Sequence, residues 1–272
     1  MLQALPSLNN RLVNVSWLVA DSLPGSLQRR ATARVSRWQL HHKLTRHGRD
    51  FRLTTNREQQ FIANDDYEAP LFKWLANNLK VGDYCLDIGA HVGCFSIFMA
   101  LLVGPQGRVK AVEPMPANLS LLEKNIAQND LENVIELHEA CCAAREGGVF
   151  LNLGPSSFES SLSHDFGHGS IPVPALTVDG LALKNGKLDF IKLDVEGAEL
   201  DVLQGAETAL AKFRPALVIE LHPPMAAEVP LFMQQKGYGA FDLDGKELWP
   251  GDLVLRAGNK EEAPFHAVFL PE

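Results

Sequence analysis

Two short segments of the sequence combine glycines and carboxylates at spacings that suit ligand binding and proton transfer. They read Asp87-Ile88-Gly89-Ala90-His91-Val92-Gly93 and Lys192-Leu193-Asp194-Val195-Glu196-Gly197-Ala198-Glu199. Glycines in a turn after a strand let the backbone approach a ligand, and the first N–H groups of the next helix attract an anion. Carboxylates at a strand end can orient a substrate or accept its proton. We therefore expect both segments to face one ligand.

The spacing of the first segment disfavours a nicotinamide dinucleotide. The dinucleotide fingerprint would need glycines where this chain has His91 and Cys94. Asp87 would oppose a pyrophosphate but suits an ammonium or sulfonium group. S-adenosylmethionine carries both cations, so we predict it as the cofactor. The predicted contacts from this turn are Asp87, Gly89, Ala90, His91 and Gly93.

A second cofactor contact is predicted at Glu113, which lies 20 residues beyond Gly93 and is followed by Pro114. The proline ends the strand and leaves the carboxylate at the edge of the sheet, where it can accept hydrogen bonds from two vicinal ribose hydroxyls. A cap for the following helix is the simpler alternative for a lone acid. Glu139 and Ala140 follow the next strand, where a small residue would admit an adenine ring, although a plain strand exit fits as well.

The candidate catalytic residues are Asp194, Glu196, Glu220 and His222, because each follows or ends a predicted strand. Asp194, Glu220 or His222 is the candidate base for an acceptor, with a carboxylate orienting the histidine. For Glu199 a helix cap is the preferred interpretation. Alternatively, Asp194, Glu220 and His222 hold a divalent metal. We predict no metal, since these ligands are dispersed along the chain.

Short apolar runs alternate with helical periodicity from Asp83 onward, which predicts a parallel sheet covered by helices on both faces. The predicted strands are Tyr84 to Ile88, Arg108 to Glu113, Val134 to Glu139, Leu188 to Asp194 and Ala216 to Leu221. The predicted helices are Cys94 to Val103, Ala117 to Asn129, Ala198 to Lys212 and Ala226 to Lys236. In such a sheet, ligands bind beyond the carboxyl ends of the strands.

Two apolar stretches near the carboxyl terminus, Tyr238 to Leu243 and Phe265 to Leu270, lack a crossover helix between them. They predict an antiparallel pair that completes a mostly parallel, seven-stranded, doubly wound sheet. Two further apolar runs, at 149–153 and 171–176, flank the polar segment 154–170. A loop of that length is typical of a lid or of disorder.

Residues 1–66 lack the alternation of strands and helices, and we interpret them as a cap or arm before a domain at 67–272. A basic amphipathic helix is predicted from Ser26 to Thr45, after the breaker Pro24-Gly25. Between Arg29 and Arg57 the chain has nine arginines and lysines, three histidines and one acid, Asp50. A solvated helix face is the simplest explanation of this charge.

The composition limits the classes of protein to which the chain can belong. The chain has 272 residues with 46% hydrophobic and 21% charged content, enough for a full core. The net charge of −8 argues against nucleic acid as the main partner. No segment has the roughly 18 apolar residues that span a bilayer, and we see no secretory signal, so a cytoplasmic location is expected. Cys85, Cys94, Cys141 and Cys142 are predicted to be buried thiols.

Several segments, taken together, resemble the FkbM family of methyltransferases. They are Asp87 to Gly93, then Glu113-Pro114-Met115-Pro116-Ala117-Asn118 with Leu122 and Asn125, Thr177-Val178-Asp179-Gly180-Leu181, Ile191 to Glu199, Val202-Leu203-Gln204-Gly205-Ala206, and Arg214-Pro215 through Glu220. The resemblance implies the Rossmann-like class I methyltransferase fold and S-adenosylmethionine as donor. One departure is His91, where the family usually has Asn. A protonated His91 would alter the pH dependence of cofactor binding.

The resemblance also implies methylation of hydroxyl groups on small polar molecules such as sugars or polyketides. Methylation of an amine or peptide nitrogen is the first alternative, because the acids equally suit a cationic acceptor. The second is a non-catalytic protein of this fold whose basic arm binds RNA or an acidic partner. The arm also offers an apolar stripe for a homodimer, with Val35, Trp38 and Leu44.

Overall fold

A computed structural model describes residues 39–154, 160–162, 164–184, 186–222, 227–249, 251, 253 and 265–272. The strands are β1 Leu40–Arg46, β2 Arg49–Thr55, β3 Tyr84–Ile88, β4 Arg108–Val112, β5 Ile135–His138, β6 Cys141–Cys142, β7 Gly147–Asn152, β8 Ser170–Leu176, β9 Phe190–Leu193, β10 Ala216–Leu221, β11 Tyr238–Phe241 and β12 Phe265–Pro271. The helices are α1 Ala69–Asn78, α2 Cys94–Val103, α3 Pro116–Ala127, α4 Val178–Leu183, α5 Glu199–Gln204, α6 Glu207–Phe213 and α7 Glu228–Gln235, with a 3₁₀ turn at Gln60–Ala63.

A seven-stranded sheet forms the centre of the molecule, in the order β11-β12-β10-β9-β3-β4-β5. The pairs β10·β9, β9·β3, β3·β4 and β4·β5 are parallel, whereas β12 runs antiparallel to both β10 and β11. The order reverses between β3 and β9, so the carboxyl ends of these two strands flank a crevice. The predicted α/β class, the parallel strands and the antiparallel closing pair are confirmed.

Buried side chains pack on both faces of the sheet because its strands are almost wholly apolar. On one face, α2 is buried along nearly its whole length and packs with Leu122, Val109 and Phe190. On the other face, Leu193, Val202 and Leu210 belong to a second buried cluster. The two clusters hold the strand ends in place from both sides.

The predicted helix from Ala198 to Lys212 is wrong in one respect, because the structure has two helices there, α5 and α6. The break falls at Gly205 and Ala206. A Cβ atom on Gly205 would collide with the backbone carbonyl of Ala143, so the chain passes too close to that loop for any other residue.

A small second sheet, β6-β8-β7, covers one end of the crevice. Its strands β7 and β8 contain the apolar runs that flank the polar segment 154–170. Leu151, Leu153 and Val173 bury their side chains against Met115 and Cys141. Residues 155–159 and 163 of the predicted loop lie outside the described residues.

The predicted basic helix is wrong at its carboxyl-terminal end, where residues 40–45 belong to β1 of an antiparallel hairpin with β2. Leu44 packs in the same buried cluster as α2, so it is not part of an exposed apolar stripe. The rest of that helix, including Val35 and Trp38, lies outside the described residues. A domain boundary after residue 66 stays a prediction.

All four cysteines are buried and free, as predicted. In the part of the chain that the structure describes, none of the helices combines the length and apolar character needed to cross a bilayer.

Candidate active site

A cavity opens at the carboxyl ends of β3, β4 and β9, where the sheet order reverses. Predicted site residues that line it are Gly89, Ala90, His91, Glu113, Pro114, Ala140, Asp194 and Glu196. Both motifs with which the sequence analysis began therefore contribute to one cavity.

The glycine turn follows β3 and lies directly against the end of β9. Gly89 has φ of 81°, and a Cβ atom there would collide with the backbone carbonyl of Asp194. Gly93 also has positive φ and precedes α2, and His91 has φ of 54°. The turn thus needs its glycines both for backbone conformation and for close contact between β3 and β9.

Glu113 lies just beyond β4 and is buried at the wall of the cavity. Its Oε1 accepts hydrogen bonds from the Met115 backbone N–H at 2.9 Å and the Asn118 amide at 3.2 Å, and its Oε2 accepts from the His91 N–H at 2.8 Å. Burial raises the pKa of Glu113 to about 7 although these hydrogen bonds oppose the shift. A carboxylate at this depth, beside the glycine turn, suits a pair of ribose hydroxyls.

His91 carries no charge at neutral pH. Burial lowers its pKa to about 3, against the attraction of the Asp194 charge. The pH dependence that a protonated His91 would introduce is therefore not expected near neutrality.

Three predicted cofactor contacts do not line the cavity, namely Asp87, Gly93 and Glu139. Asp87 is completely buried under the turn, where its carboxylate accepts a hydrogen bond from Ser96 and lies 3.8 Å from the Lys192 ammonium. Asp87 is therefore not part of the cavity wall. Glu139 follows β5 on the outer side, while its neighbour Ala140 is the residue at the cavity.

Lys192 and Asp194 form an ion pair at the end of β9, with Nζ 3.1 Å from Oδ2; the ammonium group is buried and the carboxylate is partly exposed. Burial alone would lower the pKa of Lys192, but the charges of Asp194 and Asp87 outweigh it and hold the pKa above its ordinary value. Burial alone would raise the pKa of Asp194, but Lys192 and a hydrogen bond from Glu220 hold it well below its ordinary value. At neutral pH Asp194 is an ionised carboxylate facing the cavity.

Glu220 and His222, at the end of β10, lie beside the cavity and not in its wall. Burial and the neighbouring Asp194 raise the pKa of Glu220 to about 9, so it is protonated and donates to Asp194. Burial alone would lower the pKa of His222, but hydrogen bonds to Glu196 and Glu199 raise it to about 11. Both residues therefore hold protons at neutral pH, which argues against either as the base.

The His222 ring connects three carboxylates. Its Nε2 lies 3.2 Å from Glu196 Oε2 and 3.4 Å from Glu220 Oε2, and its Nδ1 lies 3.3 Å from Glu199 Oε1. Since Glu220 is protonated, the ionic partners of the imidazolium are Glu196 and Glu199. The Glu199 carboxylate also accepts from the Gly197 N–H, which lies before α5. The N-cap of α5 is Ala198 and the helix has no side-chain cap, so the predicted capping role of Glu199 is wrong, although Glu199 does lie in the first turn.

Two groups of side chains in the described residues have donor atoms close enough to share a metal ion: Glu196, Glu220 and His222, and Glu68, Glu220 and His266. Glu220 belongs to both. The second group arises because Glu220 and His266 are register partners on β10 and β12. The prediction that this chain uses no metal stays a prediction.

Several residues that build the site have no role predicted from the sequence. The sequence does contain a signal for Lys192, because it is a charged residue in an apolar strand, two positions before Asp194 and on the same face. Its register partner on β3 is Asp87. Gln59 and Tyr67 gave no such signal, because the fold brings them from outside the alternating region to the cavity and its turn.

Comparison with known proteins agrees with this geometry. The methyltransferase FkbM domain matches residues 87–239, which is more than half of the chain. The chain belongs to the FkbM methyltransferase family. The chain is an enzyme of the methyltransferase class, and the class implies S-adenosylmethionine as the methyl donor.

Individual relatives are distant. The chain is 25% identical to the methyltransferase sdnD of Sordaria araneosa over 196 residues, covering 59% of this chain and 75% of that protein. It is 24% identical to methyltransferase 1 of Beauveria bassiana over 197 residues, covering 63% of this chain and 78% of that protein. A solved FkbM methyltransferase from Methylobacillus flagellatus matches 96% of this chain with 14% identity and a TM-score of 0.48, and this chain spans 59% of that protein.

Proposed function

We propose that this methyltransferase transfers the methyl group of S-adenosylmethionine to a hydroxyl group of a small polar molecule. The observation that carries the proposal is the common cavity, where the glycine turn and Glu113 face Asp194 and Glu196. S-adenosylmethionine supplies the activated methyl group. Gly89, Ala90 and His91 would hold it at the turn, Glu113 at its ribose, and Pro114 and Ala140 beside its adenine.

Asp194 is the base in this proposal. It lines the cavity, it is ionised, and its position is fixed by Lys192 and Glu220. A hydroxyl proton becomes strongly acidic only while its oxygen bonds to the methyl carbon, so a weak carboxylate base is sufficient to accept it. The main task of the enzyme is alignment of the two reactants. Glu196, the other cavity carboxylate, is proposed to orient the acceptor.

The charges beside the cavity are only partly balanced. The ionised Asp194 is paired with the Lys192 ammonium, and Glu196 is paired with the His222 imidazolium. Glu220 is protonated. Lys192 is also shared with Asp87 and His222 with Glu199, so the cluster keeps more carboxylates than cations. A hydroxyl acceptor is proposed because the resemblance to the FkbM family implies it, and the panel of alcohols and amines tests it.

The test begins with calorimetric titration of the purified chain with S-adenosylmethionine, S-adenosylhomocysteine and NADH. We expect the two adenosyl ligands to bind and NADH not to bind, with Glu113→Ala losing most of the affinity. Transfer of labelled methyl groups to a panel of matched alcohols and amines then identifies the acceptor class. Asp194→Asn should lower the rate of transfer by about 10²–10⁴-fold while retaining the cofactor. Amine products alone, or full turnover in Asp194→Asn, would refute the proposal.

A further inference from the structure

Gln59 reaches the cofactor turn from outside the segment that matches the family. Its side chain is completely buried, and its Nε2 lies 3.1 Å from His91 Nε2 and 3.0 Å from Asn118 Oδ1. His91 and Asn118 both line the cavity. One amide group thus joins the glycine turn after β3 to the first turn of α3.

The direction of these hydrogen bonds follows from Glu113. Asn118 Nδ2 donates to Glu113 Oε1, so the Asn118 amide accepts through its Oδ1. The group that donates to Asn118 Oδ1 is then the Gln59 Nε2, and its other hydrogen is directed at His91 Nε2. The backbone N–H of Asn56 agrees with this orientation, because it donates to Gln59 Oε1 at 3.2 Å.

Since Gln59 Nε2 can only donate, His91 Nε2 must accept and the ring proton must lie on Nδ1. We propose that Gln59 is a positioning residue of the cofactor site, which holds His91 as the neutral Nδ1–H tautomer and fixes the orientation of the Asn118 amide. The inference rests on the proposed function only for the identity of the ligand.

The pairing also accounts for the departure from the family at position 91. The family match begins at residue 87, and the segment with Gln59 lies before it. A charged imidazole beside the turn would repel the sulfonium of the methyl donor. The Gln59 amide nitrogen can only donate, so it leaves no room for a proton on His91 Nε2 and keeps the imidazole neutral. His91 can therefore take the place of an asparagine without adding a charge to the turn. The low pKa of His91 is consistent with this role.

The decisive measurement is the tautomer of His91 in the full chain without ligand. Long-range ¹H–¹⁵N spectra of protein labelled at histidine distinguish protonated from unprotonated ring nitrogens, and His91→Asn assigns the resonances. We expect Nδ1 to carry the proton at neutral pH. A His91 with its proton on Nε2 would overturn the inference, whether or not the protein binds an adenosyl ligand.

Gln59→Glu is the matched variant, because it keeps the size of the side chain and replaces the donor by an acceptor. We expect the proton to move to Nε2 or the ring to become protonated. The charged groups Asp194 and Lys192 near His91 are unchanged in this variant. Glu113 is also unchanged and accepts from the backbone N–H of His91. If the tautomer of His91 is unchanged in this variant, Gln59 does not determine it and only packs against the ring, which contradicts the inference.

Binding of S-adenosylhomocysteine gives the functional readout. Gln59→Glu should bind it about tenfold more weakly, the effect of about one lost hydrogen bond. Gln60→Glu makes the same substitution at the next, exposed residue and should bind like wild type. Equal affinity in Gln59→Glu and Gln60→Glu would contradict the positioning role. If wild type binds no adenosyl ligand but His91 has the Nδ1–H tautomer, the proposed function fails and the assignment of Gln59 to His91 stands.

Discussion

The two ends of the cavity hold their polar groups in opposite ways. At the turn, Glu113 is surrounded by amide and backbone donors, and the imidazole of His91 is neutral. At the ends of β9 and β10, carboxylates are held by the Lys192 ammonium and the His222 imidazolium. The first end uses neutral hydrogen bonds around one carboxyl group, and the second uses charges of both signs.

The difference fits the two tasks of the proposed reaction. A cationic cofactor is bound best where no other cation competes, so neutral donors at the turn are an advantage. Acid–base chemistry needs one group that holds a proton and another that can accept one, and neighbouring charges at short distance move the pKa values of two such groups apart. The Asp194 and Glu220 carboxyl groups illustrate it, because one proton is shared between them and their pKa values move apart.

The largest predicted effect is the loss of the buried cation at the charged end. Lys192→Met leaves the carboxylates of Asp87 and Asp194 without their cation, and we expect the free energy of unfolding to fall by about 5 kcal/mol. Urea denaturation measures the change. As a control, Lys187→Met removes a half-exposed ion pair with Asp189, which should contribute at most about 1 kcal/mol. Equal losses would show that the buried pairs are no more important than surface ones.

The next effect concerns the contact between the two ends. Gly89→Ala forces a left-handed conformation on alanine and drives its Cβ into the Asp194 carbonyl, so we expect about 4 kcal/mol of destabilisation. Gly93→Ala has a similar φ, but its Cβ meets the movable side chain of Leu122. It should lose about 2 kcal/mol. If the order of the two losses is reversed in urea denaturation, β3 and β9 do not meet at Gly89 as the structure indicates.

The sequence predicted the elements that local patterns specify. Strands β3 and β10 and helix α2 match their predicted bounds, because apolar runs and helical periodicity are short-range signals. Glu113, Asp194 and Glu196 line the cavity, as expected from their positions at the carboxyl ends of parallel strands, and their roles stay predictions. These predictions needed no knowledge of which distant residues come together.

The sequence could not predict contacts between distant segments. Gln59 lies 32 residues before His91, and no periodicity connects them. Residues 40–45 of strand β1 were predicted to end a helix, because basic residues with scattered leucines are compatible with either a helix or a strand. Asp87 was placed facing the ligand, but its neighbours Lys192 and Ser96 sequester it below the turn. Only the tertiary structure supplies such partners.

The buried carboxyl group of Glu113 predicts a pH dependence of stability. Burial raises its pKa from 4.5 to about 7, so the folded protein holds this proton more tightly than the unfolded chain. The resulting stabilisation is complete below about pH 4.5 and is lost as the pH rises through about 7. Relative to wild type, Glu113→Gln should therefore gain about 3 kcal/mol between pH 4.5 and pH 8.

Urea denaturation of both proteins at several pH values tests this prediction. Glu123→Gln, at an exposed position on α3, is the control and should show no such gain. Binding of S-adenosylhomocysteine to wild type should weaken as the pH falls below about 7, since ribose hydroxyls need the ionised carboxylate as acceptor. A constant difference in stability between Glu113→Gln and wild type would mean that the site is more hydrated than the structure indicates.

The smallest effect is also a direct comparison of the two ends, because His91 lies at the turn and His222 at the end of β10. Burial lowers the pKa of His91 to about 3, whereas burial of His222 is outweighed by Glu196 and Glu199, which raise its pKa to about 11. Imidazole ¹³C and ¹⁵N shifts, assigned with His91→Asn and His222→Gln, should show His91 neutral at pH 5 and His222 protonated at pH 8. If both rings titrate near pH 6.5, the charge difference between the two ends does not exist in solution. If only His222 titrates near pH 6.5, His222 is a candidate base together with Asp194.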